Sequence, residues 1–379
     1  MKILIAPDKF KGSLTAEEVC DAIEKGLKKV LLTTKINKIP LADGGEGSLS
    51  ILEQTLNFKK IFITVNNPLF KPIKTYYGLL EKTAYIEMAS ASGLQLLRKK
   101  ERTPMLTTTI GTGEMIVDSI KRGAKKIYLF IGGSATNDGG IGIASALGYK
   151  FKDEKNNTLT PIGKSLSKIK TIDVSSSISL DNIEVNVLTD VTNPLSGKNG
   201  AAYVFAKQKG ASEKEIEELD KGLKNFSELV KNTFGKDVSE IAGSGAAGGV
   251  GAGAVVFCNA TIKSGINTIL DLLKIDNYIE QSDLVITGEG LLDKQTLKGK
   301  VVKGVLDRCK KLNKPAAILC GDTTLTKNEI KRLNTKIVKT IKTKEISKEE
   351  SIKNAYSYLI KRAVELIRVL KKNNFKDPL

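Results

Sequence analysis

The stretch Lys2-Ile3-Leu4-Ile5-Ala6-Pro7-Asp8-Lys9-Phe10-Lys11-Gly12-Ser13-Leu14 decides the fold class. Lys2 to Ala6 reads as a short apolar strand and Pro7 to Leu14 as a polar turn. Val19, Ala22, Ile23, Leu27, Val30 and Leu31 then recur at helical spacing. Thr15 and Glu18 form a capping-box pattern that starts this helix just after the turn, which leaves Asp8, Lys9, Lys11 and Ser13 between strand end and helix. The same grammar returns where Lys38 to Ala42 runs into Asp43-Gly44-Gly45-Glu46-Gly47. It returns again where Ile127 to Ile131 leads into Gly132-Gly133-Ser134-Ala135-Thr136-Asn137-Asp138-Gly139-Gly140, and where Leu284 to Thr287 feeds Gly288-Glu289-Gly290. Strands alternating with helices predict an α/β protein with a largely parallel sheet covered on both faces. A final helix is expected from about Lys348 to Lys371, opened by Ser347 and Glu350.

Outward from these motifs, residues 66–281 differ in texture, with an alternating segment at Thr83 to Met88 and a Gly/Ala-rich run from Gly243 to Gly253. This middle part reads as an inserted α/β domain. The first domain, 1–65 plus 282–379, would then be discontinuous, with the active site expected in the cleft between the two.

Composition narrows the function. A chain of 379 residues with 41% hydrophobic content can bury a core in each of two domains. Four scattered cysteines without a C-x-x-C pair indicate reduced thiols rather than disulfides or zinc. No apolar run reaches the roughly 20 residues that span a bilayer, and the opening residues read as a strand rather than a signal peptide, so no membrane partner and a cytoplasmic setting are expected. The formal charge of +18 is spread over presumed helix faces and loops without a basic, aromatic-lined stripe, which argues against a nucleic-acid partner. Histidine is absent, so any general base must be a carboxylate, a lysine or water.

In an open parallel sheet, ligands bind beyond the carboxyl ends of the strands. The turns placed there join glycine-rich backbone to carboxylates, and the first adds two lysines. Glycine lets N–H groups approach an anion, a following helix adds partial positive charge, and carboxylates nearby fit a bridging divalent cation or a base. Together these features indicate magnesium-nucleotide chemistry. Singly, the Asp43 and Asp190 turns read as caps or tight turns ahead of ligand sites. Gly132 to Gly140, with four glycines in nine residues, exceeds what a turn requires. It is neither a Walker A loop nor a dinucleotide fingerprint, which disfavours those two nucleotide folds, including a nicotinamide-dependent oxidoreductase. The Gly/Ala run through Gly253 reads as a packing surface, a hinge or a second anion-binding turn.

The segments Ala6 to Leu14, Pro40 to Gly47, Gly132 to Gly140, Asp190-Val191-Thr192-Asn193-Pro194-Leu195, Gln208-Lys209-Gly210-Ala211, and Asp283 to Gly290 with Asp293, Gln295-Thr296 and Gly299-Lys300 resemble, in collinear order, the signature segments of type 1 glycerate kinases. One departure is Leu291, where that family usually has arginine. The resemblance implies a two-domain α/β architecture with a flavodoxin-like doubly wound domain. It also implies an ATP-dependent phosphorylation of D-glycerate, with 2-phospho-D-glycerate as product. A 3-phosphoglycerate product or another small hydroxy acid are the alternatives, and a homodimer is compatible with the reading.

On this reading Asp190, Asp43 and Lys9 are expected to be catalytic. Lys11, Ser13, Asp8 and Asn193 are expected to bind substrate. Gly132, Gly133, Ser134, Thr136, Asn137, Gly139, Gly288 and Glu289 would hold ATP, and Asp138, Asp190 and Asp293 would hold Mg2+. Phosphoryl transfer draws most of its acceleration from positioning and charge neutralisation, so a site without histidine is no handicap. Closure of the two domains is expected to exclude water.

Overall fold

The computed structural model describes residues 1–335 and 337–372. The chain is α/β, and it divides into two compact units, Met1–Asp43 with Ile266–Leu379, and Gly44–Gly265. In chain order the first unit opens with β1 (Lys2–Ile5) and β2 (Lys35–Lys38). The second unit holds β3 (Lys59–Asn66), β4 (Pro72–Leu80), β5 (Thr83–Glu87), β6 (Lys126–Phe130), β7 (Lys150–Lys152), β8 (Thr171–Asp173), β9 (Glu184–Leu188) and β10 (Thr261–Lys263). The first unit resumes with β11 (Leu284–Thr287), β12 (Leu291–Leu292), β13 (Ala316–Cys320), β14 (Asp322–Thr323) and β15 (Val338–Thr340).

In the first unit five parallel strands pair in the order β2-β1-β11-β13-β15. Counted by chain position this is 2-1-3-4-5, the flavodoxin-like winding, whose order reverses between the first and third strands. Ile3, Ile5, Leu284, Ile286, Ala317 and Leu319 are buried, as strands covered on both faces require. The helix Ala16–Lys28 starts where its sequence directs. The Thr15 hydroxyl accepts from the Glu18 N–H, and the Glu18 carboxylate accepts from the Thr15 N–H. Its apolar face, Val19, Ile23 and Leu27, joins the sheet and Leu359, Ala363 and Leu366 of the last helix in one core. That last helix is two helices, Lys348–Lys353 and Ala355–Lys372, because Asn354 leaves the helical region with φ −109° and ψ 20°.

The second unit carries a six-stranded sheet in the order β10-β9-β6-β5-β4-β3, parallel from β10 to β5 and antiparallel from β5 to β3. β3 pairs with β4 from Lys59↔Leu79 to Asn66↔Pro72. That ladder explains why the division falls after Asp43 rather than after residue 65: Lys59 to Asn66 belongs to the second sheet. At the other boundary Ile266 and Leu270 pack on Gly304 of the first unit's helix Val301–Lys311, so the return begins before residue 282. One core of the second unit lies on the sheet, around Ile86, Leu129 and Val187, and another surrounds the helix Glu213–Phe234. All four cysteines are buried and unpaired, and burial pushes the Cys258 and Cys309 thiols up to about 12. Among the described residues no helix is long and apolar enough to cross a membrane.

Candidate active site

Sheet topology places the first cluster. Ligands of a doubly wound sheet sit beyond the strand ends where the winding reverses, which in the first unit is between β1 and β11. β1 runs on to Asp8 and β11 to Gly288-Glu289-Gly290, and the Asp8 N–H donates to the Gly288 carbonyl at 2.8 Å. A Cβ on Gly290 would stand 3.2 Å from Phe10 Cα and from the Lys11 nitrogen, so the two turns meet backbone to backbone. Burial, then the negative charge of Asp43, pushes the Asp8 carboxyl up to about 7. Burial likewise pushes Glu289 up to about 7, against the hydrogen bond it accepts from Thr296 Oγ1 at 2.6 Å. Asp43 raises both groups.

The other residues expected at this end are placed as follows. Asp293 Oδ1 accepts from the N–H groups of Gln295 and Thr296, which presents Thr296 to Glu289. The Ser13 hydroxyl donates to the Ile352 carbonyl at 2.6 Å and ties the turn to the helix Lys348–Lys353. The Lys9 N–H closes on Asp8 Oδ1 at 2.7 Å, and Lys11 is exposed. Asp8, Asp43 and Glu289 are oxygen donors of the kind a hard divalent cation takes. Among the described residues no three acidic or thiol side chains close into a metal cage. Magnesium often takes only one or two carboxylates and completes its shell with phosphate and water, and the acids present fit that requirement.

The second unit gathers its polar residues at the carboxyl ends of β5, β6, β9 and β10. Gly132 is demanded by a close approach, since a Cβ there would stand 2.5 Å from Gly45 Cα. The loop that follows is built from within. Asp138 is fully buried, and its Oδ2 accepts from the Thr109 N–H and hydroxyl, both at 2.8 Å, and from the Gly142 N–H at 3.3 Å. Its Oδ1 accepts from the Gly140 N–H at 3.2 Å. A carboxylate held by these four donors organises the loop. The Gly139 N–H is also committed, to the Gly248 carbonyl at 3.0 Å. Thr136 Oγ1 and both amide atoms of Asn137 are buried without a partner. Asp190 Oδ1 accepts from the Ser264 hydroxyl at 2.8 Å, and Asn193 Nδ2 donates to the Asn199 carbonyl at 2.8 Å.

The parts played by two side chains of this unit escape a reading of the sequence. Glu87, the last residue of β5, accepts from the N–H groups of Gly47 and Leu49 and so occupies the start of the helix Ser48–Leu56. An acid closing a buried strand, level with the other strand-end motifs, is the available signal. Lys209 is 3% exposed, and its ammonium donates to Ser134 Oγ at 2.8 Å and to the Thr136 carbonyl at 2.7 Å. Burial pulls it down to about 7, against the raising influence of Asp138. In the sequence it stands in the segment Gln208-Lys209-Gly210-Ala211 that carries the resemblance, where nothing marks it as buried or assigns it a role.

Acids at a flavodoxin-like switch point, together with glycine-lined strand ends, are the setting in which an α/β phosphotransferase works. The glycerate kinase family profile matches residues 3–371. The chain is 42% identical to the glycerate kinase of Bacillus cereus over 358 residues, 94% of each chain. It is 43% identical to the glycerate 2-kinase of Escherichia coli over 327 residues, 86% of each. A crystal structure from Salmonella typhimurium, described as a candidate glycerate kinase 2, superposes with a TM-score of 0.83 at 38% identity, covering 98% of this chain and 99% of that one. This chain belongs to the glycerate kinase family, and it is an enzyme.

Proposed function

We propose that this enzyme moves the terminal phosphoryl group of ATP to the C2 hydroxyl of D-glycerate, forming 2-phospho-D-glycerate and ADP. The observation that carries the chemistry is the pair of acids, half-buried Asp8 and buried Glu289, at the reversal of the parallel sheet. The likeness to a glycerate 2-kinase supports the choice of hydroxyl.

A general base works best when its pKa lies near the operating pH. Asp8, pushed up to about 7, is therefore the group we assign to take the glycerate hydroxyl proton as the oxygen attacks phosphorus. Asp190, held by Ser264, is the second candidate. Asp43 and Glu289 would hold Mg2+, which when bound neutralises charge on the nucleotide phosphates. Lys9 and Lys11 are assigned to the transferred phosphoryl and the substrate carboxylate, and the loop Gly132 to Gly140, with Asn193, to the nucleotide side. Four unpaired cysteines support a cytoplasmic setting.

Phosphorus NMR of a mixture of enzyme, Mg-ATP and D-glycerate tests the proposal. A 2-phosphoglycerate resonance is expected. A 3-phosphoglycerate resonance overturns the regiochemistry, and ATP left intact overturns the assignment.

A further inference from the structure

A buried lysine without a carboxylate partner is costly, and the protein places one beneath the loop Gly132 to Gly140. Among the described residues Lys209 makes no ion pair. Asp138 acts on it only at longer range. Its two hydrogen bonds go to neutral oxygens of that loop, Ser134 Oγ and the Thr136 carbonyl. Around these contacts stand further buried polar atoms with no partner: Thr136 Oγ1, Asn137 Oδ1 and Nδ2, and Ser244 Oγ. The chain brings Ser244 to the same place. Its carbonyl accepts from the Ala252 N–H, while Gly248, between them, would meet the Thr136 carbonyl at 2.1 Å if it bore a Cβ. Ala247, next to it, is held in the left-handed region at φ 54°, a conformation a non-glycine residue keeps only where its surroundings impose it.

The direction of the Ser134 bond has a chemical consequence. In its ammonium form Lys209 has donors and no acceptor, so Ser134 Oγ then accepts from it. The hydroxyl hydrogen is then left to donate elsewhere, and a donor that is itself receiving a charge-assisted bond is polarised and strengthened. Ser134 is 7% exposed, while Lys209 lies below it. We propose that Lys209 is a positioning residue for phosphoryl transfer, which fixes the loop Gly132 to Gly140 and turns the Ser134 hydroxyl into an obligatory donor to an anionic oxygen of the bound nucleotide. This inference rests on reading that loop as the nucleotide side of the site. A rival account makes the lysine a pin for the fold, with buried waters bridging the orphan atoms.

The full-length protein and four variants separate the two: Ser134→Ala, Lys209→Met, Lys209→Arg and the double variant Ser134→Ala/Lys209→Met. ADP affinity by calorimetry, KM for ATP and for glycerate, kcat, and Tm are measured for each. Ser134→Ala is expected to weaken ADP and raise KM for ATP about tenfold, with KM for glycerate nearly unchanged. Lys209→Met should do at least as much, and the double variant no more than Lys209→Met alone, because the serine donates well only when the lysine orients it. Lys209→Arg should recover part of the loss. Fold-changes that multiply in the double variant, or a Tm loss with unchanged ADP affinity and KM, overturn the proposal. If Lys209→Met does not fold, Ser134→Ala decides alone, and wild-type ADP affinity in that variant rejects the inference. Calorimetry needs no acceptor, so an enzyme that binds ADP but leaves glycerate untouched sinks the proposed reaction while the variants still judge Lys209.

Discussion

The strand ends of the two units handle charge in opposite ways. In the first, burial and mutual repulsion hold the acids Asp8 and Glu289 near neutrality, with few donors spent on them. In the second, Asp138 and Glu87 are saturated by backbone N–H groups, and the unusual buried charge is a cation, Lys209. Both arrangements begin as a glycine-rich turn after a parallel strand. A shared local grammar thus yields acids of raised proton affinity in one place and a hydrogen-bonded loop in the other. Burial raises the proton affinity of Asp138 as well, and the difference lies in how many donors oppose it: four on Asp138 against the Lys9 N–H on Asp8.

The largest test of that contrast is Asp8→Asn against Asp190→Asn. If the first unit holds the proton acceptor, Asp8→Asn lowers kcat by at least about a hundredfold, and Asp190→Asn by distinctly less. The reverse ranking in steady-state assays moves the base to the second unit. Next in size, Asp138→Ala strands four donors and should destabilise the protein by about 3 kcal/mol in urea unfolding. A loss below about 0.5 kcal/mol would mean that the loop does not depend on its own acid.

The acids also predict a pH dependence. Asp8 and Glu289 hold their protons more tightly when folded, so their contribution to stability is fully present below the ordinary carboxylate range and is lost as pH rises through about 7. Ligand-free enzyme should therefore lose about 5 °C in Tm between about pH 5 and pH 8, and Asp8→Asn should flatten that slope in scanning calorimetry. A Tm that climbs over this interval contradicts the assigned directions. The smallest effect belongs to Glu87→Gln, which keeps an acceptor at the helix Ser48–Leu56 but removes its charge. About 0.5 to 1 kcal/mol should be lost, less in high salt.

The sequence made local structure legible because local rules set it. The strand Lys2 to Ile5, the Thr15 cap and the strand-end turns follow from periodicity and capping chemistry. The break at Asn354 does not, since asparagine is tolerated in a helical pattern and only the packing around it reveals the interruption. The division after Asp43 was hidden because Lys59 to Asn66 has the apolar character of a strand for either sheet, and its pairing with Pro72 to Leu80 decides between them. Asp8 and Glu289 could be named from their turns, yet their elevated proton affinity needs burial that no spacing reports. The contacts of Lys209 and Glu87 lay outside reach for a related reason. Each acts on a segment more than 35 residues away, Ser134 lying 75 residues from Lys209 and Leu49 lying 38 from Glu87.

The carboxylate of Glu87 at the start of Ser48–Leu56 has a practical corollary. Free sulfate, inorganic phosphate and similar oxyanions find that doorway already taken by a tethered guest of the same sign and shape. Small anionic decoys will be turned away there, and an inhibitor built for this enzyme should not look for its foothold at that helix.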